Sequence, residues 1–192
     1  MRQFFYGTTT LITVALLFGL TACDDSTTDP LNPDPGTVTA QAEVDGETFN
    51  FSGNAFFAEG ADVEGESAGM AVLFTNLESC IVDEDELPVP PYAVLARETT
   101  RPGTGTYPLA SFEDEDFGED FGFFWLDTNG AILSESGSVT VTTSTSDTFA
   151  GSIDGDALVM GPGMEEPISG DLSVEFEAAA CPDLLIPSGN NM

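Results

Sequence analysis

Between residues 168 and 178 the chain alternates without a break. Ile168, Gly170, Leu172, Val174, Phe176 and Ala178 take one side, and Ser169, Asp171, Ser173, Glu175 and Glu177 the other. A helix would scatter both sets around its axis, whereas successive residues of a strand face opposite ways, so this segment reads as a half-buried strand. The same period of two runs through Val38, Ala40, Ala42 and Val44, set against Thr39, Gln41 and Glu43. Asp45-Gly46 then signals a hairpin, because glycine accepts the positive φ that tight hairpin turns require. Beyond it Phe49 and Phe51 alternate with Thr48, Asn50 and Ser52. Further strand candidates are residues 69–75, 92–97, 121–126, 137–142, 148–153 and 157–160, with turn chemistry at Asn129-Gly130 and Asp154-Gly155. MAVLF (70–74) and FFWL (123–126) are continuously apolar, which places them in a sheet covered on both faces. No segment has helical periodicity. The expected fold is all-β, an antiparallel β-sandwich or partly closed β-barrel of about nine or ten short strands.

The first 22 residues differ from the rest. They carry one charge, Arg2, ahead of the apolar run LITVALLFGL at 11–20. Such a run is short for a membrane span, which needs about 20 apolar residues, and suits the core of a signal peptide. Leu20-Thr21-Ala22-Cys23 follows directly and resembles the lipobox of bacterial lipoproteins. That resemblance implies a diacylglyceryl group on the Cys23 thiol, cleavage before Cys23, and anchoring to membrane lipid. Two or more acyl chains give stable anchoring where one is marginal. Asp24 and Asp25 come next. In enterobacteria an Asp here resembles an inner-membrane retention signal; in Bacteroidota-type lipoproteins, acids near this position resemble a surface-export signal. The outer membrane or cell surface is the favoured address. Residues 1–22 thus read as a signal peptide and 23–37, rich in Asp, Pro, Ser and Thr, as a lipidated Cys and flexible polar tether. Residues 38–192 read as a single all-β domain with a short C-terminal tail.

Removing residues 1–22 leaves Arg97 and Arg101, no Lys and no His against 34 acids, a formal charge of −32 (2 − 34). Nucleic acid is a poor partner for such a chain, since binding it relies on Lys and Arg at phosphate. Hydrophobic residues still make up 41% of the chain, with 15 Phe, enough to build a core beneath an acidic skin. Acids spread over nearly the whole domain, with no Lys, resemble proteins of salt-loving organisms, where salt screens mutual repulsion. In an exported, oxidising compartment Cys80 and Cys181, the two cysteines left once Cys23 carries lipid, form a disulfide.

Missing atoms exclude much chemistry. Without His there is no Ser–His–Asp or Cys–His catalysis and no His-ligated metal. Without Lys there is no Schiff base and no phosphate-binding P-loop. Paired carboxylates would serve a glycosidase, but 34 acids single out no pair, and the expectation is not an enzyme. No cofactor is expected, with calcium the one alternative. The run EDEDFGED (113–120) offers Asp114, Asp116 and Asp120 around Gly118 as oxygen ligands, although Trp125 stands where an EF-hand loop needs its final Glu. Acid runs more often simply face water. Phe124 and Trp125 in the run FGFFWL are candidates for a sugar-stacking platform, with core as the commoner role for such a run.

The lipobox and short tether, the segment AEVDGE (42–47), GTYPL (105–109), GSVTV (137–141) and the closing ISGDLSVEF (168–176) together resemble the small all-β lipoproteins of Bacteroidota-type cell envelopes. That resemblance implies a fold and an address and transfers no catalytic residue; the lack of Lys departs from typical members. The functional expectation is a lipid-anchored envelope protein with a non-enzymatic binding or structural β-domain. The alternatives are a calcium- or carbohydrate-binding module and, behind these, a carboxylate glycosidase; an envelope protein or polysaccharide is the expected partner.

Overall fold

The computed structural model describes residues 34–182 and 184, apart from residues 61, 64, 65, 68, 81–88, 112–117, 129, 163 and 165. The elements in chain order are β1 (Gly36–Val44), β2 (Glu47–Glu59), β3 (Asp62–Val63), β4 (Glu66–Ser67), β5 (Met70–Thr75), β6 (Tyr92–Arg97), β7 (Gly105–Leu109), β8 (Gly122–Asp127), β9 (Gly130–Ser144), β10 (Thr148–Met160) and β11 (Ile168–Ala180). The fold is all-β, with no helix among the described residues. Of the two expected architectures, the barrel is the one formed. Strands β10-β11-β1-β2-β5-β6-β8-β9 are neighbours in that order, and β9 returns to pair with β10. Closure removes the free edges that an open sandwich must protect. β7 lies beside β9 as an extra strand, and β3 and β4 form a separate ribbon.

Several strands are long where short ones are expected: β2, β10 and β11 have 13 residues and β9 has 15. The two Asp-Gly pairs explain part of this. Asp45 and Gly46 both have positive φ, 50° and 78°, and turn the β1–β2 hairpin. Asp154-Gly155, expected to separate two strands, has no positive φ and lies inside β10. Gly155 faces Gly137 of β9, and a Cβ there would fall 2.1 Å from the Ser136 carbonyl oxygen. Glycine serves here for close strand approach, beside a register shift at Asp156/Ala157 that bends the barrel wall.

Alternate residues of the strands point into the lumen and fill it. Phe149 stands 6.0 Å from Phe57, 5.8 Å from Phe176 and 6.5 Å from Phe121, between ring centroids. Phe74 continues the chain of rings to Phe176 (5.5 Å) and Phe123 (6.4 Å), and Phe51 meets Trp125 at 6.0 Å. These spacings fall within aromatic contact range. The lumen is therefore a packed core, as small barrels favour.

A second core lies outside the wall. Phe56, Leu73, Tyr92, Val94, Phe124 and Leu126, from β2, β5, β6 and β8, pack there with Cys80, Cys181 and Leu184. Every residue of β5 and β6 is buried, so the two-sided burial expected for MAVLF holds, as it does for FFWL in β8. Cys80 and Cys181 form the expected disulfide, with Cα atoms 6.0 Å apart. The Cys181 N–H donates to the Phe57 carbonyl (2.8 Å), which seats the end of β11 against β2.

One seam has a side-chain stitch. β9 pairs with β8 over its first residues and with β7 farther on. Ser134, fully buried at the changeover, accepts from the Phe123 N–H (3.0 Å) and donates to the Ala110 carbonyl (2.8 Å). Both backbone groups thereby keep partners away from water.

Candidate functional site on the outer face of the barrel

Cys23 lies outside the described residues, as do Asp114 and Asp116. Asp120 is half-buried just ahead of Phe121, and no group of three or more His, Cys, Asp or Glu able to hold a metal occurs among the described residues. Phe124 and Trp125 take the core role, the commoner one for such a run, and the alternative stacking platform does not form. Trp125 is fully buried in the lumen, whereas Phe124, 5% exposed, belongs to the outer core. Adjacent residues of a strand face opposite ways, so the two rings cannot share one surface.

Arg97 and Arg101 cap one mouth of the barrel. Arg97 follows Ala93 and Leu95 on the inward face of β6 and is 6% exposed. Its guanidinium lies 5.0 Å from the centre of the Phe121 ring and 5.5 Å from that of Tyr107. Its Nε donates to Thr99 Oγ1 (2.9 Å), while the buried Nη1 has no hydrogen-bond acceptor among the described residues. The electron-rich ring faces offset that lack. Burial pushes the Arg97 guanidinium below its ordinary pKa, and Tyr107, Glu119 and Asp120 draw it partly back. Arg101 lies over Phe57 (5.5 Å), donates through Nη1 to the Thr145 carbonyl, and reaches Glu59 at 4.0 Å. Both cations are committed to closing the lumen. Sequence reasoning missed this role, although Arg97 shares the parity of Ala93 and Leu95 and so was placed to point inward.

The solvent side of β2, β1, β11, β10 and β9 is ordered into rungs by the antiparallel register. One rung runs Ser52, Thr39, Glu175, Ser152, Thr140 and on to Thr106 of β7. The next runs Asn50, Gln41, Ser173, Asp154, Ser138. The third, Thr48, Glu43, Asp171, Asp156, Ser136, sets three carboxylates side by side, an arrangement that repels across strands. Ser136 Oγ relieves part of it by donating to Asp156 Oδ2 (2.8 Å).

Two hollows meet over the first rung, one reaching to the second rung and the other to the row of Thr37 and Glu177 on the opposite side. One of about 360 Å³ is lined by Thr39, Gln41, Asn50, Ser52, Ser173 and Glu175, among others. Another of about 570 Å³ includes Thr37, Thr142, Ser152 and Glu177 and shares Thr39 and Glu175 with the first. A third of about 350 Å³ lies at the acidic rung, against Glu43, Asp45, Asp156 and Asp171. The side chains of Thr39, Gln41, Asn50, Ser52 and Ser152 make no hydrogen bond within the protein among the described residues. Their amides and hydroxyls are free to donate and to accept. Comparisons with protein families, with curated proteins and with solved structures find no match to this chain.

Proposed function

We propose that this chain is a lipid-anchored cell-envelope protein whose barrel is a non-enzymatic binding or structural module working through its outer face. The observation that carries the reading is the packed lumen: the protein's own rings occupy the space in which larger barrels hold ligands, and two guanidinium groups close one mouth. Recognition is then left to the outside of the wall. The lipobox-like Leu20-Thr21-Ala22-Cys23 supports the anchor, with acylated Cys23 held in membrane lipid of the outer membrane or cell surface. The Asp-, Pro-, Ser- and Thr-rich sequence after Cys23 supports a polar spacer between the anchor and β1, which starts at Gly36. The partner is an envelope protein or polysaccharide. High salt suits the acidic surface, since dense carboxylates such as the rung of Glu43, Asp171 and Asp156 repel less when screened.

The test is fractionation of cells producing the wild type and a Cys23→Ser variant. Wild type is expected in the membrane pellet with an amino-terminal Cys carrying the diacylglyceryl mass, and the variant without that lipid. Wild type in the soluble fraction, or a wild-type chain still beginning at Met1, would overturn the anchor.

A further inference from the structure

We propose that the two adjoining hollows across β2, β1, β11 and β10 bind an uncharged, hydroxyl-rich glycan; the inference rests on the outer-face binding module proposed above and names its ligand. Four observations point the same way. The two hollows adjoin at Thr39 and Glu175, which line both, and together make one polar tract. From β2 to β10 it crosses three strand intervals, about 14 Å at the usual spacing, room for a chain of sugars rather than one.

The lining is chemically matched to sugar hydroxyls, each of which donates and accepts. Gln41 and Asn50 offer two N–H donors and a carbonyl apiece, Thr39, Ser52 and Ser152 offer hydroxyls, and Glu175 and Glu177 accept. Thr39, Gln41, Asn50 and Ser52 form an unbroken patch of neutral groups on β1 and β2, with Glu175 between them and Ser152, and among the described residues none of these five neutral side chains carries an internal hydrogen bond that a ligand would have to break.

Charge selects among ligands. No cation among the described residues lines the depression, and the chain carries a formal charge of −31, so anionic polymers are repelled. One rung farther along the strands the lining turns acidic with Glu43, Asp171 and Asp156, whereas the first two rungs carry one carboxylate each, Glu175 and Asp154, among neutral groups. Finally, the lining stands on paired strands of a closed barrel, so little ordering opposes binding.

The experiment is affinity electrophoresis of the full chain in mild detergent, through gels containing neutral α-glucan, β-glucan or mannan, with alginate and polylysine as charged probes. At least one neutral polymer is expected to retard the protein, and a Gln41→Ala/Asn50→Ala variant to lose that retardation tenfold or more at unchanged melting temperature. Should the double variant melt lower, Ser52→Phe fills the depression from an exposed position and is expected to give the same loss. Retardation by polylysine alone, by no neutral polymer, or by a neutral polymer equally in the wild type and in these variants would overturn the site. A protein that pellets with membranes yet fails here loses the glycan site and keeps its anchor.

Discussion

Replacing Cys80 and Cys181 together by Ser is expected to cost about 2–5 kcal/mol and to lower the melting temperature by roughly 10 °C. The bridge spans 101 positions of sequence. The chain-entropy account gives about 4.7 kcal/mol for a loop near 100 residues, as an upper figure. The two half-cystines are also buried, in the outer core against Phe56, Leu73, Tyr92 and Phe124. Two serine hydroxyls in that apolar setting add an unfavourable desolvation term. Since Leu184 also packs in the outer core, three residues beyond Cys181, releasing the bridge frees the segment that carries it. Thermal unfolding of the reduced-equivalent variant checks the claim. A shift below about 2 °C would mean that the outer core holds itself together.

Phe149→Ala is expected to destabilise the barrel by about 3–5 kcal/mol, the usual range for deleting a fully buried ring. Phe149 is 0% exposed and touches Phe57, Phe121 and Phe176, so it joins rings from β2, from the residue just before β8 and from β11. Its neighbours stand on paired strands of a closed barrel and have little freedom to collapse into the gap, which places the expected loss toward the upper end. Urea unfolding gives the measurement: the midpoint should fall with the slope unchanged. A loss under 1 kcal/mol would show a lumen that is loosely filled, and would reopen it as a ligand cavity.

Much of the wall was legible in the chain because strand periodicity is local. The alternation at 168–178 and 38–44 became β11 and β1, and the continuous apolar runs became β5 and β8, covered on both sides. Sandwich and barrel differ only in whether the last long strands meet, a contact between β9 and β10 on one side and between β9 and β8 on the other, which no local pattern encodes. Asp154-Gly155 misled because the same dipeptide serves a turn at positive φ and a close strand crossing without it; the deciding partner, Gly137, is remote in sequence. Phe124 and Trp125 carried a usable signal, since neighbours in a strand cannot present one face. The glycan depression was out of reach for a different reason. Its lining comes from four strands in register, and each contributes only the ordinary polar residues of a solvent-facing strand face.

The central claim is a closed barrel, with recognition consigned to its outside, and native-state amide exchange tests it most directly. The amides of Val139 and Val141 in β9 and of Ile153 in β10, at the pairing that closes the barrel, are predicted to exchange only through global unfolding, as slowly as those of Ala40 and Phe51 in the β1–β2 hairpin. Exchange across β9–β10 that is much faster than in β1–β2 would show the wall opening there, and would contradict the closed barrel.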